Sequence, residues 1–428
     1  MRLLVLKSGA GLKGKVSLPG DKSIAHRAII LSALAKKQTT VKNIPLNEDC
    51  LATIGAFRKL GIKIILNKAS CQIVVFGRGL FGLRKPANAI LIRESGTTFR
   101  LLLGVLAGQN FVTKLSAGAT LSRRPMSRVI EPLKLMGAHI ENPPLTIFGQ
   151  SLTGITYKLP VASAQVKSAL LLAGLYAKRE TKIIEPLKTR DHTERMLRLF
   201  KANLKVQGNS VSIRGGRELV SPGVLSIPAD ISSAAFFIVA VAIIPGSKIL
   251  LKNVSLNPGR AGVIKVLNRM GAGLKIVKSK AQGNEPCGDI LAASRALTGI
   301  KINKSEVPSL IDELPILMVA ACFARRSSVF EGVGELRVKE TDRIKSMISN
   351  LTKMGAKIKV VKSGADENIV IEGVRELRGA KLSSFGDHRT AMSVIIAGLA
   401  ACGESSIDDV SCINKSFPGF LKTLNSLI

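Results

Sequence analysis

Residues 23–44 read SIAHRAIILSALAKKQTTVKNI. Ser23, His26 and Arg27 crowd the first turn of a segment that continues as AIILSALA (28–35), apolar on every side. A helix that is apolar all round belongs inside a domain. A short basic turn and the β-favouring TTV follow it. The same order of polar start, aliphatic helix, turn and strand returns at Thr97 (TTFRLLLGVLAGQNFVTKLSA), Gln165 (QVKSALLLAGLYAKRETKIIEP), Ser232 (SSAAFFIVAVAIIPGSKILLKNV), Asp312 (DELPILMVAACFARRSSVFEGV) and His388 (HRTAMSVIIAGLAACGESSIDDV).

A second landmark recurs with the same spacing. It is the end of an amphipathic helix running into a strand: FRKLGIKII (57–65), LKLMGAHI (133–140), LFKANLKV (199–206), LNRMGAGLKI (267–276) and LTKMGAKIKV (351–360). The stretch FLKTLNSLI (420–428) stands where a sixth begins. Glycine suits the position just past a helix because it accepts positive φ without steric cost. The chain therefore reads as six copies of one βαβαββ-like unit, an α/β fold. The period is too long for an ordinary solenoid repeat, so each copy is a motif with two helices of its own. Three units in each of two domains is the expected packing.

Composition narrows the function. The chain has 428 residues, 46% of them apolar and only 4% aromatic, so its core is aliphatic. The longest uncharged apolar run, AAFFIVAVAII (234–244), falls short of the roughly 18 residues of a membrane span. No signal peptide is expected from MRLLVLKSGAGLKGKV, which lacks a long apolar stretch and a small-residue cleavage site. Six scattered cysteines without a CxxC pair favour reduced thiols in a cytoplasm over disulfides or a zinc site.

The net charge is +34, from 63 basic and 29 acidic residues. A nucleic-acid surface calls for a basic patch with stacking aromatics. Here the cations are spread over the chain, tryptophan is absent and tyrosine occurs twice, so no nucleic-acid partner is expected. A basic solvated surface explains much of the excess, and a site for polyanionic small molecules explains a further share.

That site is legible at the helix starts. A helix N-terminus exposes unpaired N–H groups and a partial positive charge, so it attracts anions. Lys22, Arg27, Arg100, Lys167 and Arg389 stand near such starts. A cation there opposes the helix dipole unless an anion binds between them. More cations occupy loops beside the landmarks: SRRPMSR (122–128), TRDHTER (189–195), ELRVKETDRIKS (335–346) and NKSFPG (414–419). Two carboxylates are candidates for proton transfer. Asp312 precedes an apolar helix and is either an N-cap or a base; Glu340 lies between Lys339 and Arg343 and is either an ion-pair partner or an acid. GRGLFG (77–82) matches the dinucleotide-binding pattern, but LRKPANAI follows it where that pattern needs a helix, so it reads as a turn of the repeat.

In chain order, LPGDKSIAHRA, SGTTFR, RRPMSRVIEPL, VASAQVKSALLLAGL, TRDHTERML, PADISSAAFF, IDELPIL, ELRVKETDRI, FGDHRTAM and KSFPGF span nearly the whole sequence. This set resembles the 5-enolpyruvylshikimate-3-phosphate synthase family, the 3-phosphoshikimate 1-carboxyvinyltransferases. The variants SGTT, SAQ and RDHTE resemble the subgroup described as less glyphosate-sensitive. The resemblance implies transfer of the enolpyruvyl group of phosphoenolpyruvate to the 5-hydroxyl of shikimate-3-phosphate, releasing phosphate through a tetrahedral ketal phosphate. It implies no organic cofactor, no metal, no membrane and a cytoplasmic monomer. The fold implied is a two-domain inside-out α/β barrel built from six βαβαββ repeats. One domain is 19–228 and the other is 1–18 plus 229–428, with the active site in the cleft between them.

Carried over by position, Lys22, Ser23, Arg27, Ser163, Ala164, Gln165, Arg190, Asp312 and Lys339 are implied to hold shikimate-3-phosphate. Lys22, Gly96, Arg124, Gln165, Arg343, Arg389 and Lys415 are implied to hold phosphoenolpyruvate. Asp312, Glu340 and Lys22 are the implied catalytic groups, with Asp312 the base on the 5-hydroxyl. Glu94 and Glu335 stand where the family usually has asparagine. A carboxylate at 94, unless paired with Arg93 or turned away, is expected to raise the KM for phosphoenolpyruvate. A related enolpyruvyl transferase acting on UDP-N-acetylglucosamine is the nearest rival. It carries Lys-Asn in place of Lys22-Ser23 and usually a reactive cysteine in its first half, whereas this chain has no cysteine from Cys71 to Cys287. A rival of another class, a non-catalytic basic nucleic-acid binder, would give a salt-dependent gel shift and no phosphate release.

Overall fold

The computed structural model describes residues 2–5, 7–364 and 366–428. The chain divides into two compact units. The first comprises Gly20–Pro228 and Ala281–Glu285; the second comprises Met1–Pro19, Ala229–Lys280 and Pro286–Ile428.

In the first unit the second repeat shows the motif in full. Strand Ile90–Arg93 leads into helix Gly96–Ala107 and then strand Val112–Ala117, parallel to the first. Helix Ser127–Leu135 and the hairpin His139–Glu141/Thr146–Phe148 complete it, the hairpin pairing antiparallel to Val112–Ala117. The third repeat, from Thr156–Lys158 to Ser210–Arg214, pairs in the same way. The strand just before the first repeat's helix, Lys13–Ser17, pairs with Lys248–Ser255 and not with Ala35–Lys42. Leu219–Val220 and Val224–Ser226 fill the leading-strand role, parallel to Ala35–Lys42, so the end of the segment closes on its beginning.

The second unit repeats the scheme. Lys13–Ser17 is the parallel leading strand beside Lys248–Ser255. Lys301–Ile302 and Ser327–Phe330 flank helix Leu314–Cys322. The sixth copy departs from the expected βαβαββ order. There strand Leu3–Val5 lies antiparallel to Ser405–Ile407, the position a hairpin strand after the second helix takes in the second and third copies.

The apolar helices lie inside and the sheets outside, because only a fully buried position suits a helix without a polar face. In helix Ile231–Ile243 every residue from Ile231 to Ala242 is buried, and in Leu314–Cys322 all residues are. Helices Gly96–Ala107 and Ala164–Gly174 approach so closely that a Cβ on Gly104 would stand 2.1 Å from the Ala169 carbonyl oxygen. The landmark glycine has its expected conformation, with φ 94° at Gly137 and 90° at Gly355. The third copy keeps the same left-handed turn without glycine, at Lys201 with φ 64°. The stretch 77–82 runs from strand Gln72–Arg78 into turns, not a helix. Among the described residues, no helix is long and apolar enough to cross a membrane.

Candidate active site

The first unit gathers cations and hydroxyls at the starts of its buried helices. Asp21 caps helix Lys22–Leu34, its Oδ1 accepting from the Ile24 N–H at 2.9 Å. Lys22 follows directly and pairs with Asp49 Oδ2 at 2.9 Å. One turn on, Arg27 is buried and donates to three oxygens: Thr193 Oγ1 at 2.5 Å, the Ser23 carbonyl at 2.8 Å and Ser168 Oγ at 2.7 Å. Arg190 donates to Ser23 Oγ at 3.2 Å. Burial, and then the neighbouring Arg190 cation, lower Arg27 from the usual arginine range to about 10. Arg27 is still charged at neutral pH, but it is held at an electrostatic cost that an arriving anion would relieve.

A second group forms around helix Gly96–Ala107, capped by Ser95. A Cβ on Gly96 would stand 2.7 Å from Arg124 Nη1 and 3.0 Å from Arg100 Nη1, so glycine is what lets two guanidinium groups close over this helix start. Arg100 donates to Gln165 Oε1 at 2.7 Å, and Gln165 donates in turn to Thr97 Oγ1 at 2.9 Å. Ser163 caps helix Ala164–Gly174, and Ala164 is buried. Of the expected helix-start cations, Lys167 is not open to a ligand. Its ammonium sits 2.9 Å from Glu185 and 2.6 Å from Glu194 in the interior, where an unpaired charge would be costly.

Glu94 does not pair with Arg93. Its carboxylate accepts from the Thr120 hydroxyl and from the Leu121 N–H at 2.8 Å, capping the short helix Ala119–Ser122. The four orphan N–H groups of that helix outcompete a neighbouring side chain that has water available. Arg124 lies just beyond the helix that Glu94 caps.

In the second unit, carboxylates and cations alternate. Asp312 is not the cap of helix Leu314–Cys322; Glu313 takes that position and makes no side-chain capping bond. Asp312 faces two guanidinium groups, Arg343 Nη1 at 3.5 Å and Arg260 Nη2 at 3.3 Å. Arg343 opens helix Arg343–Lys353, is buried, and binds Asp387 Oδ2 at 2.9 Å through Nε and Glu340 through Nη2. Burial alone would lower its pKa, but Asp387, Glu340 and Asp312 outweigh burial and raise it. Asp387 also caps helix His388–Ala400, accepting from the Arg389 N–H at 2.7 Å.

Arg389 reaches back to the Asp312 carbonyl at 3.3 Å and Glu313 Oε1 at 3.4 Å. Glu313 is fully buried and also binds Arg260 Nη1 at 2.9 Å. Its pKa is raised by burial, against the pull of Arg260 and Arg389. Lys339 donates to Glu335 at 3.3 Å, and burial chiefly holds it below the ordinary lysine value. Glu335, at a usual asparagine position, thus has its charge engaged. Lys415 donates to the Gly386 carbonyl at 3.4 Å, beside the Asp387 cap.

Within the first unit, then, Lys22, Ser23, Arg27 and Arg190 form one group and Gly96, Arg124 and Gln165 another. Within the second, Asp312, Lys339, Glu340, Arg343 and Arg389 form one cluster. Sequence reading missed Asp49, Ser168, Thr193, Arg260, Glu313 and Asp387. Asp387 had a signal, since FGDHRTAM places an aspartate directly before an apolar helix. Arg260 also had one: NPGRAG precedes the second helix of its repeat, as SRRPMSR, TRDHTER and KETDR do in theirs.

Residues 6–424 match the family model of EPSP synthase (3-phosphoshikimate 1-carboxyvinyltransferase). A 3-phosphoshikimate 1-carboxyvinyltransferase of Syntrophomonas wolfei is 47% identical, covering 97% of each chain. Another, from Geotalea daltonii, is 45% identical over 100% of this chain and 99% of its own. Among solved structures, EPSP synthase from Acinetobacter baumannii superposes with a TM-score of 0.89 at 43% identity, covering 100% of this chain and 98% of that one. The enolpyruvyl transferase NikO from Streptomyces tendae reaches 0.78 at 17% identity over 100% and 97%, a likeness of fold.

Proposed function

The chain belongs to the EPSP synthase family, and from that premise we propose how its own residues carry the reaction. It is an enolpyruvyl transferase of the shikimate pathway: it moves the 1-carboxyvinyl group of phosphoenolpyruvate to the 5-hydroxyl of shikimate-3-phosphate and releases phosphate. The observation that best supports the residue assignment is Asp312, a carboxylate held between Arg260 and Arg343 in a cluster that also contains Glu340.

In the proposal, Lys22, Ser23, Arg27, Ser163, Ala164, Gln165 and Arg190 bind shikimate-3-phosphate, joined by Asp312 and Lys339. Lys22, Gly96, Arg124, Gln165, Arg343, Arg389 and Lys415 bind phosphoenolpyruvate. Arginine suits the task because its planar fork meets carboxylate and phosphate with two bonds at once. Each unit serves as a domain of three repeats, and both contribute to one substrate pair.

Asp312 takes the proton of the 5-hydroxyl as that oxygen bonds to C2 of phosphoenolpyruvate, while Glu340 gives a proton to the methylene carbon, which becomes a methyl group. The product of this step is a tetrahedral ketal phosphate. Its methyl group then returns a proton to Glu340, the bond from C2 to the phosphate oxygen breaks, and phosphate departs with the proton from Asp312. Lys22 stabilises the leaving phosphate. Arg343 is already bonded to three carboxylates, so the substrate carboxylate reaches it by displacing Glu340. Glu340 then loses its cation and takes up a proton more readily, which couples substrate binding to loading of the acid.

A cytoplasmic setting and a monomeric state complete the proposal; the former is supported by six free cysteines among the described residues. The test is phosphate release with both substrates, repeated on Asp312→Ala and Lys22→Ala. The parent releases phosphate only when both substrates are present, and each variant loses most of that rate. An inactive parent overturns the reaction, and full activity in both variants overturns the assignment of residues.

A further inference from the structure

We propose that Arg260 is a positioning residue of the reaction, holding the Asp312 carboxylate aimed for its work on the 5-hydroxyl. This rests on the assignment of Asp312 as the base.

Three observations converge. Arg260 sits in the loop before the second helix of its repeat, as Arg124 and Arg190 do in theirs, and Arg343 opens the corresponding helix in its own. It is buried, and its guanidinium is engaged by side chains of its own unit. Its Nη1 is anchored on Glu313 at 2.9 Å, and its Nη2 meets both Ser232 Oγ and Asp312 Oδ2, the latter at 3.3 Å. Arg343 takes the other oxygen of Asp312 at 3.5 Å. Two guanidinium groups, one from a loop and one from a helix start, thus hold the two oxygens of one carboxylate, and neither oxygen can turn without losing a charged partner. Glu313 fixes the far end: it is fully buried, and it accepts from Ser232 and Arg389 as well as Arg260. The charged groups facing Asp312 are Arg260, Arg343, Lys339 and Glu313, with Arg389 on its carbonyl and Glu340 behind Arg343. Removing Arg260 leaves Arg343 to both Asp312 and Glu340 and lets Asp312 swing.

The experiment measures kcat and both KM values across pH for the parent, Arg260→Gln, Arg260→Lys and Asp312→Asn. Arg260→Gln is expected to lower kcat by about 10- to 100-fold through misplacement of the base. Both KM values should stay within roughly threefold, since the loss falls on the transition state. The acidic limb of kcat should move up by about one pH unit, because a cation that favoured the ionised base is gone. Arg260→Lys should restore the limb but only part of kcat, since an ammonium has charge without the fork. A folded Arg260→Gln with parental kcat and limb, or with a change confined to KM, overturns the inference. If Asp312→Asn keeps parental kcat, the base assignment fails and the inference falls with it. If Asp312→Asn is inactive and Arg260→Gln is parental, only the inference falls. Should Arg260→Gln not fold, the double variant Arg260→Gln/Glu313→Gln, which removes the buried charges together, is judged by the same readouts.

Discussion

The two units build their polar clusters on the same plan and stock them differently. Each has buried helices whose polar starts converge, but the hydrogen bonds of Arg27 in the first unit go to neutral oxygens, with carboxylates acting on it only from farther off, whereas Arg343 in the second is bonded to Asp312, Glu340 and Asp387. A balanced mesh of carboxylates and guanidinium groups holds protons near the point of transfer, since a small change in neighbouring charge tips which group carries them. The first unit's carboxylates are engaged one by one: Asp49 pairs with Lys22, Glu185 and Glu194 clamp Lys167, and Glu94 caps a helix. In the proposed assignment the labour divides only in part: both units supply substrate ligands and Lys22 assists the leaving phosphate, whereas the proton-carrying carboxylates Asp312 and Glu340 belong to the second unit.

The sharpest way to break that division is Glu340→Gln. The amide keeps the shape and cannot carry the proton, so kcat is expected to fall about a thousandfold, within the usual range for a lost general acid. The KM for phosphoenolpyruvate should hold or fall, since a neutral amide competes less with the substrate for Arg343. Steady-state kinetics decide it: a variant that loses affinity and keeps kcat would place Glu340 among the binding groups and erase the contrast.

The complementary change in the first unit is Arg27→Lys. Lysine keeps the charge but cannot serve Thr193, Ser168 and the Ser23 carbonyl together. Losing one hydrogen bond from a charged group to substrate costs about 1.5–3 kcal/mol. The KM for shikimate-3-phosphate should therefore rise roughly 10- to 100-fold, with kcat at saturation nearly unchanged. A fall in kcat at constant KM would place Arg27 in the chemistry and not in binding.

What could be read from the sequence follows the same divide between local and distant. The buried helices were legible because a segment such as AAFFIVAVAII has no polar face to offer water. The cluster residues at helix starts were legible because Lys22 or Arg389 is out of place beside such a run. Pairings between distant loops were not: Arg260 and Glu313 lie 53 residues apart, and no local pattern announces that they meet. The antiparallel partner of Ser405–Ile407 in the sixth copy escaped for a related reason, since Leu3–Val5 lies far from it in sequence. The orientation of Glu94 depended on a four-residue helix too short to show a period.

Glu94 now supports an expectation opposite in sign to simple charge repulsion. Its carboxylate caps the helix that precedes Arg124, so Glu94→Ala loosens the loop carrying a proposed phosphoenolpyruvate ligand. A lost cap is worth about 1 kcal/mol, which corresponds to a KM for phosphoenolpyruvate raised roughly fivefold. A KM that drops instead would show that the carboxylate repels substrate and that the cap is secondary.

The smallest effect on activity, and the one that separates the units by stability, concerns His26. It is fully buried in helix Lys22–Leu34, with Nδ1 2.7 Å from Thr53 Oγ1, and the helix Ile231–Ile243 has Ala235 in the matching place. Burial, then Lys22 and Arg27, lower its pKa well below the ordinary histidine value. The folded state therefore binds this proton less readily than the unfolded chain, so below about pH 6.5 the unfolded chain takes up more protons. The stabilisation is complete above that pH and is lost as the pH falls through it, at about 1.4 kcal/mol for each further unit. Kinetics at pH 7.5 should hardly change in His26→Asn, whose amide can still meet Thr53. Hydrogen exchange, corrected for intrinsic rates, should show helix Lys22–Leu34 losing protection from pH 7 to pH 5 in the parent and much less in the variant. Equal losses in parent and variant would assign the acid sensitivity to the carboxylates of the ion pairs and leave His26 as ordinary core.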